Sequence, residues 1–110
     1  MGVMVIAVYR PKPGREEVLE ALVRRHHGVL AEEGLVDETP VLAGRARDGA
    51  VIEVFIWKSQ DAIDAAHENP AVKALWDEFE GACEYDVIAN VAEAKEMFSP
   101  FTAIDLTKET

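Results

Sequence analysis

The side chains of this chain best suited to proton chemistry are His26, His27 and His67, and one carboxylate, Glu53, set in an apolar run. Imidazole titrates near neutral pH, so a histidine can take and return a proton under physiological conditions. His67 lies on a short helical segment that Asn69-Pro70 interrupts, close to the break. His26 falls on the apolar stripe of an earlier helix, where it either borders a cavity between helix and sheet or fills core. Glu53 has only apolar neighbours in Val51-Ile52-Glu53-Val54-Phe55-Ile56-Trp57. A carboxylate buried there could act as a base, or it could pair with Arg45 or Arg47 across a hairpin. Trp57, Trp76, Phe55, Tyr9 and Tyr85 could stack on a flat aromatic ligand, or they could simply be core. The adjacent pair His26-His27 lacks the three- or four-residue spacing that brings two ligands to one helix face. With a single cysteine, Cys83, and no carboxylate–histidine motif, no metal site is expected. Cys83 itself reads as an inert buried thiol.

The elements that position these residues follow from spacing. Val3 to Arg10 is a strand apolar on both faces, ended by Pro11-Lys12-Pro13-Gly14. Arg15 to about Glu33 is a helix, with Val18, Leu19, Leu22, Val23, His26, Val29 and Leu30 on one stripe and Gly34 as its stop. Val36 to about Arg47 is a strand weakened by Pro40 and Gly44. Asp48-Gly49 turns the chain. Ala50 to Trp57 is a third strand. A two-residue loop would set Glu53 opposite Gly44, and a three-residue loop would put it on the face of Arg45. Ser59 then caps a helix whose first turn carries Asp61 and Asp64. Pro70 breaks that helix and opens another with Asn69 as cap, carrying Val72, Leu75, Trp76 and Phe79. Tyr85 to Val91 is a fourth strand, Ala92 to Phe98 forms a helical turn or two, and an apolar tail with Phe98, Phe101 and Ile104 closes the chain.

The order β-α-β-β-α-β predicts a ferredoxin-like α+β fold: a four-stranded antiparallel sheet with both helices on one face. The other face of so apolar a sheet would lie bare in a monomer, so a homodimer joined sheet to sheet is expected. The 110 residues make one domain, its core spanning 3–92, with the tail 93–110 packing on the partner subunit or folding on its own. The net charge of −10 argues against nucleic acid and anionic membrane surfaces as partners. A lone cysteine, no signal-peptide pattern and no apolar run of about 20 residues lead to an expectation of a cytoplasmic protein.

Arg10-Pro11-Lys12-Pro13-Gly14 after the first strand, Val29 to Gly34 closing the first helix, Glu53 to Ser59 ending in Trp-Lys-Ser, and His67-Glu68-Asn69-Pro70 come in an order that resembles the antibiotic biosynthesis monooxygenase (ABM) superfamily and its small quinol monooxygenases. The resemblance covers roughly residues 3 to 92. It implies a dimeric α+β barrel, and oxidation of a small quinol or hydroxyaromatic by O2 with no metal, flavin or other cofactor. A dry pocket, a base and donors for an oxyanion would be needed. The resemblance also implies a histidine ahead of the helix break and makes His67 the candidate base, while Glu53 is a second catalytic candidate on the strength of its apolar setting alone. His26, Trp57, Trp76, Tyr9 and Phe55 would then line the substrate pocket. Counted from Trp-Lys-Ser, however, the implied histidine position is nearer Ala66, one residue and about 100° of helix earlier. Haem degraders share the fold, but their asparagine, tryptophan and histidine positions fall here on Ala7, Ala66 and Trp76. A non-catalytic binding protein with a small hydrophobic pocket is the alternative.

Overall fold

In the computed structural model, which describes residues 2–107, a long first strand forms the spine of the sheet. Strand β1 (Val3–Pro11) pairs antiparallel with β3 (Val51–Trp57) on one side and β4 (Cys83–Asp86) on the other. Strand β2 (Leu42–Arg45) lies outside β3, and a short β5 (Thr102–Ala103) lies outside β2. The order β4-β1-β3-β2-β5 is the expected ferredoxin-like sheet with one edge strand added from the tail. Alternation sends Val3, Val5, Ala7 and Tyr9 of β1 to one face, with Val51, Glu53, Phe55 and Trp57 of β3 beside them. Helices α1 (Glu16–Glu32), α2 (Gln60–Ala66) and α3 (Pro70–Ala82) cover that face.

Helix α1 buries Leu19, Leu22, Val23, His26 and Leu30, a stripe at helical spacing, while Val18 stays outside it. The helix stops at Gly34, whose φ of +72° a side chain would resist. There the Leu35 N–H reaches the Leu30 carbonyl and the Gly34 N–H reaches that of Ala31, which satisfies the last turn. The α2–α3 break is built as its residues require. Ser59 Oγ accepts from the Ala62 N–H, and Asn69 Oδ1 accepts from the N–H groups of Ala71 and Val72, with Pro70 at the first helical position.

Two strands are shorter than their apolar patterns suggest, each because a side chain takes over a backbone donor. Asp37 Oδ1 accepts from the Thr39 N–H at 2.8 Å, and Pro40 has no N–H to give. Val36 therefore keeps only a bridge to Trp57, and β2 proper begins at Leu42. Strand β4 starts earlier than expected, directly from the end of α3, and stops at Asp86. Asp86 Oδ1 accepts from the Val87 N–H and from Asn90 Nδ2, both at 2.7 Å, which curls residues 88–90 into a 3-10 turn. The β2–β3 hairpin has the three-residue loop: Ala46 bonds Ala50, and Glu53 stands opposite Ala43.

On the second face the 3-10 turns lay Ile88, Val91 and Ala94, with Phe101, over Val8, Ala46, Ala50 and Ile52. The tail then crosses the sheet edge. Thr102–Ala103 pairs with β2, and Ile104 and Leu106 rest against the helix-side core. Gly44 permits this crossing, since a Cβ there would come within 2.9 Å of Phe101 Cβ. Glu93, buried, accepts from the Arg47 N–H at 2.7 Å and ties tail to hairpin. Met4 (63%), Ile6 (44%) and Leu42 (69%) stay exposed on this face, and Phe98 (93%) projects from the tail. Among the described residues no helix is long and apolar enough to cross a membrane.

Arg10 bridges Asp86 and Asp48 at 2.6 and 2.8 Å across the strand ends. The Arg10 guanidinium, helped by the Asn90 and Val87 donors, holds the Asp86 carboxyl down at about 2, below its ordinary 3.8. A carboxyl whose folded value is depressed contributes stability above its unfolded value, and loses that contribution as pH falls toward the folded one. Unfolding free energy should therefore drop between pH 4 and 2 more steeply in the wild type than in Asp86→Asn. Urea titrations at half-unit steps would show it, and parallel curves would refute it.

Candidate functional site

A cavity of about 380 Å³ lies between the sheet and helices α1 and α3. Its sheet wall is Val5, Ala7, Tyr9, Phe55, Trp57 and Tyr85, and its helix wall is His26, Trp76, Phe79 and Glu80. Six of these ten are aromatic, so the space suits a flat apolar body. The alanine at position 7 makes room: it stands opposite Glu53 in the β1–β3 ladder, in a row otherwise filled by larger side chains.

Glu53 organises the polar end of the site. It is completely buried. The Tyr9 hydroxyl donates to Glu53 Oε1 at 2.6 Å, and His26 Nδ1 lies 2.8 Å from the same oxygen. Among the described residues Glu53 Oε2 has no hydrogen-bond partner. On the far side of the imidazole, the Trp76 indole N–H points at His26 Nε2 at 3.3 Å. The indole can only donate, so Nε2 is the accepting nitrogen and the imidazole proton sits on Nδ1, donated to Glu53. The ring is held edge-on between Phe55 (5.4 Å) and Phe79 (5.1 Å). His26 is thus fixed in place and in tautomer, with its basic nitrogen at the Trp76 side. A carboxylate behind an imidazole in this way orients it and stabilises the imidazolium that forms when Nε2 takes a proton.

The register explains the cluster. Tyr9 and Glu53 share the helix face of neighbouring strands two residues out of step, within reach of a long side chain. His26 descends onto them from the middle of α1. The expected pairing of Glu53 with Arg45 or Arg47 does not form. Arg45 does share Glu53's face, but it pairs with Glu20 of α1, while Arg47 reaches Glu96 and Glu93 on the other side of the hairpin.

His67 stands elsewhere. It is exposed, its Nδ1 bonds the Ile63 carbonyl at 2.8 Å, and its ring packs 5.2 Å from that of Trp76. It meets the cavity only through that indole. The one-residue offset accounts for this: Ala66 is fully buried among Phe55, Trp57 and Val72, and the next residue turns outward. His26, Trp57, Trp76, Tyr9 and Phe55 all lie in the cavity wall, joined by Phe79 and Glu80, which sequence spacing did not single out. Phe79 was legible as core. Glu80, exposed at the mouth, carried no signal.

Burial holds three further groups of this region in their neutral forms. Burial, and then the charge of Glu53 and the bond to it, push the Tyr9 phenol far above its ordinary value, so it remains a donor. Burial raises the Tyr85 phenol to about 12 and the Cys83 thiol to about 11. Cys83 Sγ donates to the Phe79 carbonyl at 3.2 Å. Among the described residues there is no group of three histidine, cysteine or acidic side chains that could hold a metal ion.

No curated protein and no solved structure matches this chain significantly. The family model for antibiotic biosynthesis monooxygenases (ABM) matches residues 2–78, from the first strand through most of α3. That stretch includes Tyr9, His26, Glu53 and Trp76. With the sheet order and the helix-covered face agreeing, the chain belongs to the ABM family.

Proposed function

We propose that the protein is a cofactor-independent monooxygenase of a small quinol or related hydroxyaromatic, with His26 as the base. Family membership supports a monooxygenase-like or small-molecule-binding role. The observation that carries the finer reading is the Tyr9–Glu53–His26 cluster on an aromatic-lined cavity. The ligand's ring would lie among the aromatic walls with its hydroxyl at His26 Nε2. His26 takes the hydroxyl proton, and Glu53 steadies the imidazolium. The resulting anion is electron-rich enough to pass an electron to O2, after which superoxide and ring radical combine. For a quinol the sum is one O2 consumed, one oxygen atom placed on the ring to give a hydroxyquinone, and the other released as water. The ring supplies the electrons. Among the described residues no lysine or arginine lines the cavity, which favours an uncharged ligand. The direct experiment is O2 uptake over a panel of quinols and polycyclic hydroxyaromatics. Absence of uptake above the autoxidation blank on every compound would remove the oxygenase reading.

One observation favours the alternative, a non-catalytic binding protein. His26 Nε2 already has a donor in Trp76, as in a purely structural histidine. Oxygen uptake separates the two.

The dimeric barrel belongs to the same proposal. Met4, Ile6 and Leu42 form an exposed apolar row on the sheet's second face, and Phe98 and Met97 project from the tail. A second copy laid on that face would bury them. Light scattering on wild type and Ile6→Glu is expected to give a dimer and a monomer respectively. A monomeric wild type would overturn this. The cytoplasm is the compartment in keeping with a single buried thiol.

A further inference from the structure

We propose that Trp76 competes with the ligand at this site: its indole N–H occupies the position at His26 Nε2 that a ligand hydroxyl takes, and a hydroxylated ligand displaces it. This rests on the reading of His26 as the residue that meets the ligand, but not on any reaction with oxygen.

Three observations lead here. First, the accepting nitrogen of His26 is occupied by Trp76 Nε1 and, among the described residues, by no other group. A ligand can reach it only by displacing the indole, so it must offer a donor at least as good. A hydroxyl on an aromatic ring does so and a bare ring does not. Second, the bond is weak. At 3.3 Å it sits at the long end of the N–H range, whereas the Glu53 side of the same imidazole is held at 2.8 Å. Displacement therefore breaks the Trp76 contact and leaves the Glu53 contact in place. Third, Trp76 is placed to move. It is only half-buried, packs at the margins of both helix-side core clusters, and has the exposed His67 ring 5.2 Å from its own. The other hydrogen-bonded aromatic at the site, Tyr9, is buried and bonded to Glu53 at 2.6 Å, with no comparable freedom.

The test uses 1-naphthol and naphthalene as probes, which differ by one hydroxyl, and reads binding to the whole chain by calorimetry or ligand fluorescence. In the wild type naphthol should bind more tightly than naphthalene. Trp76→Phe keeps an aromatic wall and removes the competing N–H. It should therefore raise the naphthol-to-naphthalene affinity ratio by about two- to tenfold, the worth of one such hydrogen bond. If Trp76 served only as packing, the variant would weaken both probes and leave the ratio unchanged, and that result would overturn the proposal. So would a wild type that binds neither probe. A second measurement needs no variant. In 15N-labelled wild type, saturating naphthol should shift the Trp76 indole N–H signal and speed its exchange with solvent. A bound complex with that signal unmoved would also overturn it. Failure of the oxygenase reading looks different: naphthol binds as described, and no substrate draws oxygen.

Discussion

Glu53→Ala is expected to lower the free energy of unfolding by about 2–4 kcal/mol, read as a shift in the urea midpoint at pH 7. Truncation leaves the Tyr9 hydroxyl and the His26 Nδ1–H without their common acceptor in a place where water is excluded. Each orphaned buried donor costs about 1–3 kcal/mol. Part of that loss is offset, because the carboxylate is itself expensive to bury and its Oε2 is already unsatisfied. The net sign is still destabilising, since two good donors lose one acceptor. Glu53→Gln should lose less, as its side-chain carbonyl can accept in the same place. A variant Glu53→Ala as stable as wild type would mean that the cluster contributes nothing to folding. The joint role of Glu53 in holding Tyr9 and orienting His26 would then have no support.

What the residue pattern revealed and what it concealed can be separated at these same positions. Strand β1, helix α1 and the Ser59 and Asn69 caps were legible because each is decided locally, by alternation, by helical spacing or by one side chain meeting one backbone donor. The ends of β2 and β4 were not, because Asp37 and Asp86 divert donors that an apolar pattern would assign to a ladder. Glu53 was conspicuous as a carboxylate in an apolar strand. Its partners were hidden, because they depend on register between β1 and β3 and on which residue of α1 lands above them. Nothing in the spacing of Arg45 and Arg47 tells that Glu20 and Glu96 claim them. His67 shows the limit most plainly. Its place near the helix break suggested a pocket residue, yet one step around the helix gives Ala66 the inward position and leaves His67 outside.

That distinction yields the largest expected effect on activity. His26→Gln should reduce O2 uptake on a responsive quinol by about 10²–10⁴-fold, the contribution of a well-placed general base, while His67→Ala should retain the wild-type rate. Glutamine is close in size to histidine and can still hydrogen-bond Glu53, so the site should fold, but it cannot accept a proton at Nε2. His67 has a different status: its Nδ1 is committed to the Ile63 carbonyl, and its ring reaches the cavity only through Trp76. Removing it leaves the Tyr9–Glu53–His26 cluster intact. A reversed result, with His67→Ala inactive and His26→Gln active, would place proton transfer outside the cavity and reduce the buried cluster to architecture.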